Sequence, residues 1–90
     1  MELNQRRSNI EVIADILRLE EAGKTEIMYS ANMSYRQLQK YLDFLVTEEF
    51  MERHVVPNPG VKYLITDKGR CLLDSIETML GLLGSHSTVA

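Results

Sequence analysis

From Ser8 onward, Ile10, Ile13, Ala14, Ile16, Leu17 and Leu19 recur at intervals of three and four, with Glu11, Asp15, Arg18 and Glu21 mostly on the other side. That period predicts an amphipathic helix. Ser8 followed three residues later by Glu11 is a capping-box pair at its start, and Gly23 after Ala22 is the expected left-handed residue at its end. A second, short helix is expected from Glu26 to Ala31, capped by Thr25, with Ile27, Met28 and Ala31 inward and Ser30 and Asn32 as stop signals. Ser34 and Gln37 form another capping box, opening a longer helix from Ser34 to Glu49 whose apolar face is Leu38, Tyr41, Leu42 and Leu45. Two helices joined by a few turn residues are a helix-turn-helix candidate.

After Phe50 the period shortens to two. Met51, Arg53 and Val55 alternate with Glu52, His54 and Val56, Pro57-Asn58-Pro59-Gly60 reverses the chain, and Val61, Tyr63 and Ile65 supply the returning strand. A hairpin in that place is a wing. Thr66 caps a last helix from Asp67 to about Leu83, with Gly69 tolerated in its first turn. Its Leu72, Leu73, Ile76, Met79, Leu80, Leu82 and Leu83 make an apolar arc wider than one intramolecular face requires. Leu73, Ile76, Leu80 and Leu83 follow a short heptad-like spacing suited to a helix-to-helix dimer contact. The expected fold is mainly α with a small β-hairpin wing, a winged helix-turn-helix of order α-α-α-β-β-α. It occupies residues 8–83, with the dimerisation helix at 67–83, an N-terminal arm at 1–7 and a disordered tail at 84–90.

Ninety residues make one small domain, burying only about 60–65% of the surface that its unfolded chain exposes. With 44% hydrophobic and 26% charged residues the composition is that of an ordinary globule. No apolar run approaches the roughly 18 residues of a membrane span, and the first seven residues lack the apolar core of a signal peptide, so a cytoplasmic protein is expected. Cys71 is the only cysteine, which excludes an intrachain disulfide and a multi-cysteine zinc site; it reads as a small buried hydrophobe. A net charge of −3 and a pI near 5.3 weigh against indiscriminate nucleic-acid binding, although an acidic protein can still carry a local basic surface.

The runs Ile27-Met28-Tyr29-Ser30-Ala31-Asn32-Met33-Ser34-Tyr35 and Tyr63-Leu64-Ile65-Thr66-Asp67-Lys68-Gly69 resemble those of the small archaeal winged-helix regulators. The first run is the more specific, and the resemblance spans roughly Ile10 to Leu83. It implies duplex DNA as partner and, as in some of that family, pairing of two chains through the C-terminal helix, here a shorter one.

With the apolar face of the third helix turned to the core, Ser34, Tyr35, Arg36, Gln37, Gln39 and Lys40 project from its N-terminal half. Arg can read guanine O6 and N7, Gln can read adenine, and hydroxyls at a helix N-terminus suit phosphate oxygens. Asp43, Glu48, Glu49 and Glu52 come later, at the end expected to point away from a duplex. In the wing, Arg53, His54 and Lys62 could touch backbone or minor groove, and Arg6, Arg7 and Lys24 could add phosphate contacts. Tyr29, Tyr41 and Tyr63 read as core or rim and Tyr35 as exposed. His54 has no ligand-type neighbour at metal spacing, so no metal and no cofactor are expected. No Gly-rich phosphate loop and no nucleophile with a base are present, so an enzyme is not expected. These features point to a sequence-specific double-stranded DNA-binding homodimer, a transcriptional regulator. The rivals are a protein-interaction module, which the acidic balance suits, and a chromatin-packing protein, which it does not.

Overall fold

The computed structural model describes residues 8–57 and 60–89, with side chains described as far as Leu83. The chain forms α1 (Asn9–Arg18), β1 (Glu21–Ala22), α2 (Lys24–Ala31), α3 (Tyr35–Thr47), β2 (Met51–Val56), β3 (Gly60–Ile65) and α4 (Asp67–Val89). It is a winged helix. The expected order lacked β1, which adds a third strand to the hairpin and makes an antiparallel sheet of order β1-β3-β2. Glu21 pairs with Leu64 and Ala22 with Tyr63, while Met51 to Val56 pair with Ile65 back to Gly60.

Both capping boxes form. The Ser8 side chain accepts from the Glu11 backbone N–H and the Glu11 side chain from that of Ser8; Ser34 and Gln37 do the same at α3. The end of α1 differs from expectation. The helix stops at Arg18, and Glu20, at φ 66°, takes the left-handed conformation expected of Gly23. Its carbonyl then accepts from the Ile65 N–H at 2.8 Å, which carries the chain directly into β1. Gly23 instead has an extended backbone and is the N-cap of α2, so Thr25 lies inside the first turn and caps nothing. Asn32, left-handed at φ 54°, closes α2 with its N–H on the Met28 carbonyl.

One core joins the elements. It holds Val12, Ala14, Ile16 and Leu17 of α1, Ile27 and Ala31 of α2, Leu38, Leu42 and Leu45 of α3, Ala22, Met51 and Tyr63 of the sheet, and Leu73 and Ile76 of α4. Ile10, expected inward, is exposed, and Val12 takes its place. Arg18 fastens α1 to α4, reaching Asp15 at 2.8 Å and Glu77 at 2.7 Å. Because these groups are about half exposed, the pairs guide packing more than they stabilise it.

The start of α4 is locked to the end of α3. Thr66 Oγ1 accepts from the Gly69 N–H at 2.9 Å and donates to the Glu49 carbonyl at 2.6 Å, and Lys68 donates to the Glu48 carbonyl at 2.8 Å. Gly69 is buried there: a Cβ on it would overlap the Phe50 carbonyl oxygen and lie 2.9 Å from Ile65 Cγ1. Glycine at this position is therefore required. The backbone of α4 continues to Val89, past the end expected at Leu83 and into the stretch expected to be disordered. The N-terminal arm with Arg6 and Arg7, the wing-tip residues 58 and 59 and Ala90 lie outside the described residues. Among the described residues no helix is long and apolar enough to cross a membrane.

Candidate nucleic-acid interface

Leu38, Leu42 and Leu45, spaced i, i+4 and i+7, are the buried stripe of α3. The same 3.6-residue period puts Arg36, Lys40, Asp43 and Thr47 on the opposite stripe, and all four are exposed. The side chains of Arg36 and Lys40 make no hydrogen bond or ion pair with any described residue. Both are therefore available to an external partner.

The other expected contact residues divide by their occupation. Ser34 and Gln37 are engaged in the capping box, Ser34 N–H donating to Gln37 Oε1 at 3.2 Å and Gln37 N–H to Ser34 Oγ at 3.2 Å. They hold the helix start. Gln39 is held on both sides: Lys24 Nζ donates to its Oε1 at 2.7 Å, and its Nε2 donates to Asp43 Oδ1 at 2.9 Å. Tyr35, 55% exposed, accepts a hydrogen bond from Lys24 at 3.1 Å and places its ring under the same ammonium, 5.0 Å from the centroid. Lys24 thus organises the flank of α3 from α2.

In the wing, Lys62 pairs with Glu21 of β1 at 3.2 Å, and His54 with Glu52 at 3.0 Å. Arg53 has no such partner among the described residues. It lines a cleft of about 310 Å³ together with Lys24, Gln39, Asp43 and Thr47, so the wing's free cation sits beside the exposed stripe of α3.

Four expectations require correction. Asp43 belongs to the same exposed stripe as Arg36 and Lys40 and is not set apart at the far end of the helix; its i+7 spacing from Arg36 already contained that information. Tyr29, 83% exposed, is neither core nor rim. Cys71 is exposed, because α4 turns Leu73 and Ile76 inward and leaves position 71 outside. For the same reason Leu73 and Ile76 are spent on the core of their own chain, and among the described side chains the large outward apolar residues of α4 are Met79, Leu82 and Leu83. Phe44, 45% exposed beside Lys40, was not singled out by periodicity. Among the described residues no group of three His, Cys, Asp or Glu side chains is placed to hold a metal ion.

The chain belongs to the winged helix-turn-helix family, whose model matches residues 6–83. The chain is 34% identical over 83 residues to the uncharacterized protein MJ0287 of Methanocaldococcus jannaschii, covering 89% of this chain and 80% of that one. A second uncharacterized protein of that organism, MJ0290, is 35% identical over 81 residues, covering 87% of this chain and 36% of that one. Among solved structures, Sso10a-2, a DNA-binding protein from Sulfolobus solfataricus, superposes with a TM-score of 0.82 at 32% identity, covering 92% of this chain and 88% of that one. A MarR variant from E. coli complexed with operator DNA superposes with a TM-score of 0.69 at 20% identity over 88% of this chain and 59% of that one, a likeness of fold.

Proposed function

We propose that the protein is a double-stranded DNA-binding transcriptional regulator acting as a homodimer. The observation that carries the reading is the outward stripe of α3, in which Arg36 and Lys40 stand free on a helix whose start is held by a complete capping box. Such a helix offers a major groove two cations in its first turns, with Arg53 of the wing beside them for the adjacent backbone. The similarity to a DNA-binding archaeal protein at 32% identity supports the same reading.

Dimerisation through α4 is the second part of the proposal, with the contact moved from the expected Leu73, Ile76, Leu80 and Leu83 to Met79, Leu82 and Leu83, since Leu80 is partly buried against its own chain's core. Two recognition helices related by a two-fold axis would address half-sites about one helical turn, roughly 34–36 Å, apart.

Titration of a duplex library at several salt concentrations tests this. With Arg36 given to base edges, Lys40 and Arg53 in both chains leave four cations for phosphates, so the slope of log Kobs against log salt is expected near −4, from about −0.9 per phosphate neutralised. Absence of binding at low salt, or binding insensitive to salt, refutes it. The net charge of −3 favours a protein partner as the second reading, which gains if no duplex binds.

A further inference from the structure

The outward stripe of α3 carries a carboxylate among its cations, and that carboxylate is held in place. The helical repeat puts Asp43 on the face that bears Arg36 and Lys40, and a relay orients it there: Gln39 donates to Asp43 Oδ1 at 2.9 Å while its own Oε1 accepts from Lys24 at 2.7 Å. The Asp43 side chain makes no further hydrogen bond to the described residues, and the residue is exposed. Non-specific affinity for a polyanion would be served by the opposite arrangement, with no acid on the stripe.

Resting on the DNA-binding reading above, we infer that Asp43 is a specificity-determining residue, accepting a hydrogen bond from an exocyclic amino group in the major groove. A carboxylate can only accept. Of the groups presented there, cytosine N4 and adenine N6 are the donors, while guanine O6 and N7 and thymine O4 are acceptors that repel it. Asp43 lies seven residues beyond Arg36, a rise of about 10 Å along the helix. The two charges therefore address different base pairs: Arg36 selects acceptors, as guanine presents, and Asp43 selects an amino donor. Gln39 is a positioning residue in this scheme, since its amide is spent on orienting the acid. The carboxylate lowers affinity for every duplex and lowers it least where an amino group meets it.

The test is Asp43→Asn in the full chain, measured by fluorescence anisotropy on a duplex selected with the unaltered protein and on a random-sequence duplex of equal length. Asn keeps the partner for Gln39, and the exposed position leaves the fold intact, checked by an unchanged melting curve. The substitution is expected to tighten binding to the random duplex several-fold and to reduce discrimination between the two duplexes by about ten-fold or more. A base-pair scan should locate the lost discrimination at a C or A facing the helix. Equal affinities of the two proteins on both duplexes, weaker binding to the random duplex, or loss of discrimination spread evenly over the site would each overturn the role of Asp43. Failure of the unaltered protein to bind any duplex would instead strike at the DNA-binding reading itself.

Discussion

Gly69→Ala sets two effects of opposite sign against each other. By helix propensity alone, replacing a glycine inside a helix with alanine stabilises by about 1 kcal/mol. At this position, however, the new Cβ would overlap the Phe50 carbonyl oxygen and press on Ile65 Cγ1 at 2.9 Å. The Phe50 oxygen belongs to backbone, and it accepts the Thr66 N–H at 3.1 Å, so it cannot move aside as a flexible side chain would. Relief requires α4 to shift away from the start of β2, which strains the Thr66 contacts to Glu49 and Gly69. Overpacking of this kind costs about 1–3 kcal/mol, and loss of the backbone hydrogen bond about another 1 kcal/mol.

Against the propensity gain, the net destabilisation is roughly 1–3 kcal/mol, a fall in Tm on the order of 5–20 °C for a domain of this size. Gly81 supplies the internal control. It sits in the same helix with no atom within 4 Å of the position a Cβ would take, so Gly81→Ala is expected to raise Tm by a few degrees. Thermal melts followed by circular dichroism, at fixed protein concentration, decide the matter. If both substitutions raise Tm, the close approach of α4 to Phe50 is wrong.

Thr66→Val keeps the shape of the side chain but removes both of its hydrogen bonds, and should lower stability by roughly 1–2 kcal/mol in urea unfolding. Leu73→Ala is expected to cost about 2–5 kcal/mol at any protein concentration, since Leu73 is in the core of its own chain. Leu82→Glu together with Leu83→Glu should instead leave the core intact and shift the mass by light scattering to that of one chain; an unchanged mass removes the α4 dimer. Arg36→Ala should weaken binding to a selected duplex by about 1–3 kcal/mol and relax base preference, whereas Lys40→Ala should weaken all duplexes alike and reduce the salt slope by about 1 per chain. Equal behaviour of the two variants argues against direct readout by Arg36.

What was legible in the chain is what depends on neighbours three or four residues away. Ser8 with Glu11 and Ser34 with Gln37 each carry a helix start within one turn, and the leucines of α3 repeat closely enough to orient it. Strand β1 has no such signal. Two residues show no period, and Glu21–Ala22 is a strand only because Leu64 and Tyr63 arrive more than forty positions later to pair with it. That distant pairing also explains the misplaced turn: with β1 required, the chain must reverse at Glu20, and a non-glycine residue at φ 66° takes the conformation for which Gly23 was the better local candidate. Local preference, worth about 1 kcal/mol, yields to a strand and the Ile65 hydrogen bond it brings.

The same distinction separates the two proposed interaction faces. On α4, spacing alone offers several apolar stripes of similar quality, and only the packing of α1, bringing Val12, Ile16 and the Arg18 bridge to Glu77, decides that Leu73 and Ile76 are internal and Met79, Leu82 and Leu83 external. No count along the helix could have chosen between them. On α3 the choice was available. Once Leu38, Leu42 and Leu45 were placed inward, the opposite stripe was determined by the helical repeat, Asp43 included. Sorting charges by their order along the chain concealed that carboxylate, whereas sorting them by face puts it between Lys40 and Thr47. If that stripe is the docking surface proposed above, the acidity of the protein acquires a local meaning there, because one carboxylate stands among its cations, a placement that would trade affinity for selectivity.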